Sequence, residues 1–189
     1  MSGELLWYLS RATGAAATVL LTLVVVLGVV TAGRRSPQGP GATVVLGMHR
    51  WVSLGALVFL AVHIATAILD GYVTIGWLAV LVPFTSPYLT LLVGLGTIAL
   101  DLLAVVLLTS YLRHRMPERA WRGVHWASYA MWAFAVLHGY LMGTADEPLL
   151  RWATATCGIA GAAAVVWRAF GTSADRDRRR ELAAAAEWS

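Results

Sequence analysis

The sequence has few charged residues, no lysine and a single cysteine. Charged residues make up 13% of its 189 residues, whereas a soluble domain carries about a quarter. The chain therefore cannot cover a globular surface with charge, and a soluble globular enzyme is excluded. Cys157 has no partner for an internal disulfide, and no CxxC or CxxCH motif is present. A disulfide scaffold and covalent c-type haem attachment are thus excluded as well. No P-loop and no GxGxxG after a strand occurs, so nothing indicates nucleotide binding.

Long hydrophobic runs are what the chain does have. Hydrophobic residues make up 59% of it, in runs of about twenty, the length that crosses a bilayer as a helix. None of the six prolines lies inside a run, so each run can form a continuous helix. We predict an all-α integral membrane bundle of about five transmembrane helices within residues 1–170, followed by a short polar cytoplasmic tail at 171–189. The predicted spans are 13–32, 46–69, 88–112, 124–142 and 149–170.

The arginines determine the predicted orientation. All fourteen basic residues are arginine, and twelve of them lie on one side of the predicted bundle; Arg11 and Arg151 lie on the other. The positive-inside rule then places the N-terminus outside and the C-terminus in the cytoplasm, and it accounts for the net charge of +4 without nucleic acid. The second and fourth spans are therefore parallel. The composition, rich in Arg, Ala, Gly and Val, indicates a bacterial cell membrane.

The connection between the second and third spans is unusual because it is apolar. Residues 71–87 include the stretch TIGWLAVLVPF, which is too short to cross a bilayer. We predict that this loop forms a re-entrant or interfacial helix on the outer face.

Four of the five histidines lie in two of the predicted spans. His49 and His63 are 14 residues apart, a rise of about 21 Å, and His125 and His138 are 13 apart, a rise of about 19.5 Å. In parallel helices, His49 matches His125 in depth near the cytoplasm, and His63 matches His138 near the outside. Two imidazoles at one depth are what a six-coordinate haem iron needs, so two levels predict two stacked b haems. A separation of 13 residues leaves the side chains of His125 and His138 pointing in directions that differ by about 0.4 of a turn. The alternative that a haem occupies only one of the two levels therefore stays open.

Other interpretations of the histidines compete with haem ligation. A membrane histidine often serves only as a hydrogen bond between helices, but four of them paired in depth favour a functional role. Zinc is disfavoured, because the two pairs are too far apart to share one tetrahedral site and no Cys or carboxylate accompanies them. His114, in the Arg-rich third connection, is favoured as a surface residue.

Three arginines are candidates for the propionates of a haem. Arg50 follows His49, and Arg122 precedes His125 by three residues. Both are therefore predicted to bind the propionates of the cytoplasmic haem. A role only in setting the orientation of the chain in the membrane is equally favoured. Arg11 is the candidate at the outer level, where the role in topology is favoured.

Asp101 lies near the middle of the third span, where a carboxylate costs about 2.5–3.5 kcal/mol on insertion scales. It is predicted either to relay protons near the haems or to bond to a neighbouring helix, with the second interpretation slightly favoured. Gly47, Gly55 and Gly94 are candidates for making room for a porphyrin, and close helix packing explains them equally well.

Three stretches then resemble one known family, the ferric reductase-like transmembrane domain. They are HRWVSLGALVFLAVH, YLRHRMPERAWRG and VHWASYAMWAFAVLH, while WYLSRATG and GWLAVLVPFTSPY are similar to its bacterial members. The group includes ferric reductases, NADPH oxidases and the haem-binding membrane subunit of the bacterial methionine sulfoxide reductase system. The resemblance implies a helical bundle with two b haems, with His49, His63, His125 and His138 at the ligand positions.

The resemblance also implies an oxidoreductase component that lacks the flavin and nicotinamide domain, since only residues 171–189 follow the last span. Electrons are then expected from a separate flavoprotein or a quinol, and they would pass to an acceptor on the outer face. Two alternatives stay open. One is a haem-free membrane transporter or assembly subunit that uses the histidines as hydrogen-bonding or proton-carrying groups. The other is a protein with one haem and a quinone site near Asp101.

Overall fold

A computed structural model of the protein describes residues 3–31, 39–71, 73–144 and 147–186, with side chains described as far as Phe170. These residues form helices and connections, with no strand among them. Two short 3₁₀ turns occur at Trp77–Val80 and Arg113–Arg115. The α-helices are α1 (Gly3–Thr31), α2 (Pro40–Leu69), α3 (Thr90–Tyr111), α4 (Glu118–His125), α5 (Ala127–Met142) and α6 (Pro148–Ala186).

Four of these helices are long and apolar enough to cross a membrane, and they correspond to the first, second, third and fifth predicted spans. They cover Glu4–Thr31, Pro40–Leu69, Thr90–Tyr111 and Pro148–Phe170. The chain is thus a multi-pass membrane protein, and the prediction of an all-α membrane bundle is confirmed. Helices α2 and α6 begin at prolines, which suit the first turn of a helix because they need no amide hydrogen there.

The fourth predicted span differs from its prediction. It is divided into α4 and α5, which meet at Trp126. Trp126 keeps helical dihedral angles (φ −63°, ψ −24°). The two helices are therefore separated by a single turn residue and not by an extended loop. The 16 residues of α5 rise about 24 Å, less than the roughly 30 Å of a hydrocarbon core. His125, predicted inside one continuous helix, is instead the last residue of the amphipathic helix α4.

Helix α1 lies at the centre of the packing. It contacts α2, α5 and α6, while α3 packs against α5. Within the described part of the chain, α2 and α5 have no extensive contact with each other, so the two helices that carry His63 and His138 are held apart by their neighbours.

The core fills the middle of the bundle, between the two histidine levels. Its buried members come from α1, α2, α3 and α5: Leu21, Val25, Ala56, Leu103, Met131 and Trp132. The indole Nε1 of Trp132 donates a hydrogen bond to Thr22 Oγ1 at 3.0 Å, which joins α5 to α1. On the other side, α6 approaches Trp132 closely, since a methyl group at Gly161 would lie 2.1 Å from its Cζ2.

The apolar connection between α2 and α3 contains one 3₁₀ turn rather than a longer helix. Ala79 in this turn is buried, and its carbonyl oxygen accepts a hydrogen bond of 2.6 Å from Thr97 Oγ1 on α3. Trp77 and Leu81 of the same segment are exposed. Exposed apolar side chains beside an anchored turn are typical of a segment that lies at a membrane interface.

Candidate functional site

His63 of α2 and His138 of α5 are brought together at the end of the bundle that is predicted to face outside, which we call the outer level. Their ring centroids are 6.3 Å apart, and the ring planes are inclined at 72°. The Nδ1 atom of His63 lies 2.8 Å from the carbonyl oxygen of Ser10, and that of His138 lies 2.7 Å from the carbonyl oxygen of Leu92. A carbonyl can only accept, so each Nδ1 carries the proton and donates. The lone pair of Nε2 is left free, which is the arrangement of a histidine ready to bind a metal.

Glycines on the neighbouring helices allow these rings to lie against backbone. A methyl group at Gly14 of α1 would lie 2.8 Å from Nδ1 of His63, and one at Gly96 of α3 would lie 2.9 Å from Cε1 of His138. Both separations are shorter than real carbon contacts, so a larger residue would displace the imidazole. Gly28 of α1 faces His49 with more room, at 3.5 Å.

The sequence analysis selected other glycines. Gly47 has nothing within 4 Å, Gly55 faces Leu20 at 3.7 Å, and Gly94 faces the ring of Phe84. Among the described residues, none of the three borders a histidine. The sequence does contain a pattern that could have identified Gly14 and Gly28. These two glycines are 14 residues apart on α1, the same separation as that of His49 and His63 on the antiparallel helix α2.

The other two candidate ligands are His49 of α2 and His125 at the end of α4. They lie towards the opposite end of the bundle, which is predicted to face the cytoplasm and which we call the inner level. His49 Nδ1 lies 3.1 Å from the carbonyl oxygen of Val24. His125 stacks on Trp121, with centroids 4.9 Å apart and planes inclined at 27°. Burial lowers the pKa of His125, and the nearby His49 and Arg113 lower it further. This direction favours the neutral imidazole, the form that binds a metal.

A cavity of about 520 Å³ includes both outer histidines. It lies between α2 and α5, where those helices do not pack together, and its wall is mostly apolar. Ser10, Arg11 and Asp70 add polar groups to it. A concave, largely apolar site of this volume with a few polar groups is typical of a cofactor pocket. Within the described residues no three or more His, Cys, Asp or Glu side chains converge on a metal site.

The three arginines proposed as propionate ligands differ in their surroundings. Arg11 borders the cavity, and its Nε donates to Glu147 Oε2 at 2.6 Å. Arg50 is exposed, and Arg122 forms an exposed ion pair with Glu118. Of the three, Arg11 alone borders the cavity.

Two further arginines that the sequence analysis did not select lie around the inner level. Arg113 stacks over the ring of Trp121, 4.4 Å from its centroid. Arg168 lies over the rings of Trp126 and Tyr129. Both influence His125 electrostatically. Arg168 comes from a different helix, so its approach to this site follows from tertiary packing.

Asp101 is half-buried on α3 and does not border the cavity. It makes no hydrogen bond or ion pair with any residue that the structure describes. His114 is exposed, as expected for a surface residue.

Comparison with known families adds to this geometry. The model of the ferric reductase-like transmembrane component matches residues 13–136, about two thirds of the chain. The chain belongs to the ferric reductase-like transmembrane family. The matched region of this ferric reductase-like chain contains His49, His63 and His125 and ends two residues before His138. No match was found among curated proteins, and none among solved structures. Membership of the family indicates a role in electron transfer across the membrane.

Proposed function

We propose that this protein is a dihaem cytochrome b that transfers electrons across the membrane. His63 and His138 would hold the outer haem, and His49 and His125 the inner one. The observation that carries the proposal is the 6.3 Å separation of the His63 and His138 rings. Two imidazoles that bind one metal ion from opposite sides, with metal–nitrogen distances of about 2 Å, have ring centroids about 6 Å apart. The separation of the outer pair agrees with that arrangement.

The surroundings of the outer pair support ligation rather than a role in helix packing alone. Both Nδ1 atoms are occupied by backbone carbonyl groups, at 2.8 Å and 2.7 Å. Hydrogen bonds of this kind, from Nδ1 to a carbonyl oxygen, fix the ring orientation and raise the basicity of Nε2, the nitrogen that would bind the iron. Gly14 and Gly96 supply the space that these orientations need.

Other residues would bind the polar edge of a haem and insulate the path between the two levels. Arg11 at the outer cavity and Arg50 and Arg122 at the inner end are the proposed partners of the propionates, since guanidinium groups bind carboxylates strongly. The apolar core around Met131 and Trp132 lies between the levels and would exclude water from the path.

Haem iron would supply reversible one-electron chemistry, tuned by its axial ligands and by burial. We propose that electrons enter at the cytoplasmic side, from a separate flavoprotein or from a quinol, and leave to an acceptor at the outer face. Such a protein would be the membrane component of an oxidoreductase, with any flavin or quinone supplied by a partner.

The proposal is tested on the protein purified from cells supplied with haem. We expect a reduced α-band typical of low-spin b haem and two haems per chain by the pyridine haemochrome assay. A colourless protein would overturn the proposal and favour the haem-free transporter or assembly subunit. One haem per chain would overturn the dihaem arrangement and favour the quinol-linked alternative.

Single-residue variants separate ligation from general effects on folding. We expect His63→Ala to lose one of the two haems while retaining the other. His114→Ala, at the exposed histidine, is the matched control and should keep both. Equal haem content in these two variants would contradict the assignment of His63 as a ligand.

A further inference from the structure

The four proposed ligands are not anchored in the same way. Three of them place Nδ1 within hydrogen-bond distance of a backbone carbonyl oxygen: His49 at Val24, His63 at Ser10 and His138 at Leu92. The Nδ1 atom of His125 is shielded from solvent and finds no acceptor among the described residues. A histidine that binds a metal almost always donates a hydrogen bond from its other ring nitrogen to a carboxylate, a carbonyl group or water, so His125 is the exception among the four.

Instead of a hydrogen bond at Nδ1, His125 has a ring stack with Trp121. Trp121 lies four residues before His125 on α4, a spacing that brings two side chains together on one helix face. The two rings are nearly parallel, at 27°, with centroids 4.9 Å apart. The indole Nε1 is itself buried without a partner among the described residues, so the observed interactions of Trp121 run through its ring faces. Arg113 lies over this ring at 4.4 Å, within the range of a cation–π interaction.

The backbone at His125 is also less regular than at the other ligands. His125 is the last residue of α4, directly before the interruption at Trp126. By contrast, His49 and His63 lie within α2, and His138 lies within α5. Stacking restrains the plane of an imidazole but permits rotation within that plane, whereas a hydrogen bond at Nδ1 restrains both.

We propose that Trp121 is the positioning residue for His125, and that the inner level would consequently be the one that holds its haem less firmly. This inference rests on the proposed function, because it assigns different properties to the two proposed haem sites. The outer level, with both rings bonded to backbone, would hold its two ligands firmly. The inner level would depend on the stack of Arg113, Trp121 and His125.

The test compares Trp121→Ala, which removes the stack, with Trp121→Phe, which keeps an aromatic face but lacks Nε1. Trp51→Ala is the matched control, because Trp51 lies two residues from His49, is 75% exposed and makes no ring contact among the described residues. Each variant is examined as the haem-loaded full chain by electron paramagnetic resonance and by carbon monoxide binding to the reduced protein. The wild type must first show two low-spin haems.

We expect Trp121→Ala to lose one of the two low-spin signals and to bind carbon monoxide at one haem, with the other haem unchanged. The unchanged outer haem would show that the variant is folded. Trp121→Phe and Trp51→Ala should keep both low-spin signals. Two unchanged signals in Trp121→Ala would overturn the proposal, and a Phe variant as damaged as the Ala variant would overturn the role of stacking.

A wild type without haem would overturn the proposed function, and the anchoring of His125 is then measured separately. In the haem-free chain with nitrogen-15-labelled histidine, three rings should be Nδ1-protonated. His125 should differ from them and should be the ring most shifted by Trp121→Ala. A His125 resonance unmoved by that substitution would overturn the positioning role.

Discussion

Gly14 lies against the imidazole of His63, and a methyl group at this position would lie 2.8 Å from Nδ1. Because Nδ1 also bonds to the carbonyl oxygen of Ser10, the ring has little freedom to retreat without losing that bond. We predict that Gly14→Ala displaces His63 and costs about 1–3 kcal/mol of stability, as overpacking does. Thermal unfolding and haem content measure the two effects.

Gly28 provides the matched control for this prediction. The same substitution there places a methyl group 3.5 Å from Cε1 of His49, which is ordinary van der Waals contact. Gly28→Ala should therefore unfold close to the wild-type temperature. If both alanine variants behave alike, the close approach of α1 to His63 does not constrain the outer level.

The hydrogen bond from Trp132 to Thr22 joins α5 to α1 inside the core. Its length is 3.0 Å, and both side chains are buried. Thr22→Val keeps the shape of the side chain but removes the acceptor. We predict a loss of about 1 kcal/mol, the usual size of a bond between membrane helices, measured by unfolding in mixed detergent. A double-mutant cycle with Trp132→Phe should show coupling; additive effects would mean that the bond contributes nothing.

The two ion pairs among the described side chains should differ in their contribution to stability. Arg11 and Glu147 are 2.6 Å apart, with side chains only 17% and 23% exposed, whereas Arg122 and Glu118 are 67% and 65% exposed. We predict that Glu147→Gln costs roughly 1.5–3 kcal/mol, as for a charge-assisted bond, while Glu118→Gln costs at most about 0.5 kcal/mol. Unfolding of the two variants at low salt measures the difference, and equal losses would contradict the prediction.

The proposed orientation is open to chemical labelling. In a Cys157→Ser background, Leu78→Cys places a thiol at an exposed position of the outer connection, and Ser173→Cys places one in the polar tail. With the N-terminus outside, a membrane-impermeant maleimide should label Leu78→Cys in intact cells and Ser173→Cys only after permeabilisation. The reverse pattern would show that the bundle is inverted.

The limits of the sequence are clearest at the fourth predicted span. Its apolar pattern from residue 124 onward does not distinguish one long helix from the amphipathic α4 followed by α5. At the interruption, Arg168 of α6 lies over the Trp126 ring, a contact from another part of the chain that the local sequence does not indicate. The prediction that Gly47, Gly55 and Gly94 make room for a porphyrin failed for a related reason. Helix periodicity shows which residues share a face, but it does not specify which neighbouring helix that face contacts.

The sequence by itself determined that the chain is a membrane helical bundle, because apolar runs of about twenty residues can satisfy their backbone groups in lipid only as helices. The numbers of residues between the histidines, 14 and 13, likewise predicted similar separations of the two pairs along the bundle. Only the tertiary structure decided that α2 and α5 stand apart and that Gly14 and Gly96 admit the rings of His63 and His138. These features depend on contacts between residues far apart in the chain, and the periodicity of a single helix does not specify which other helix it meets.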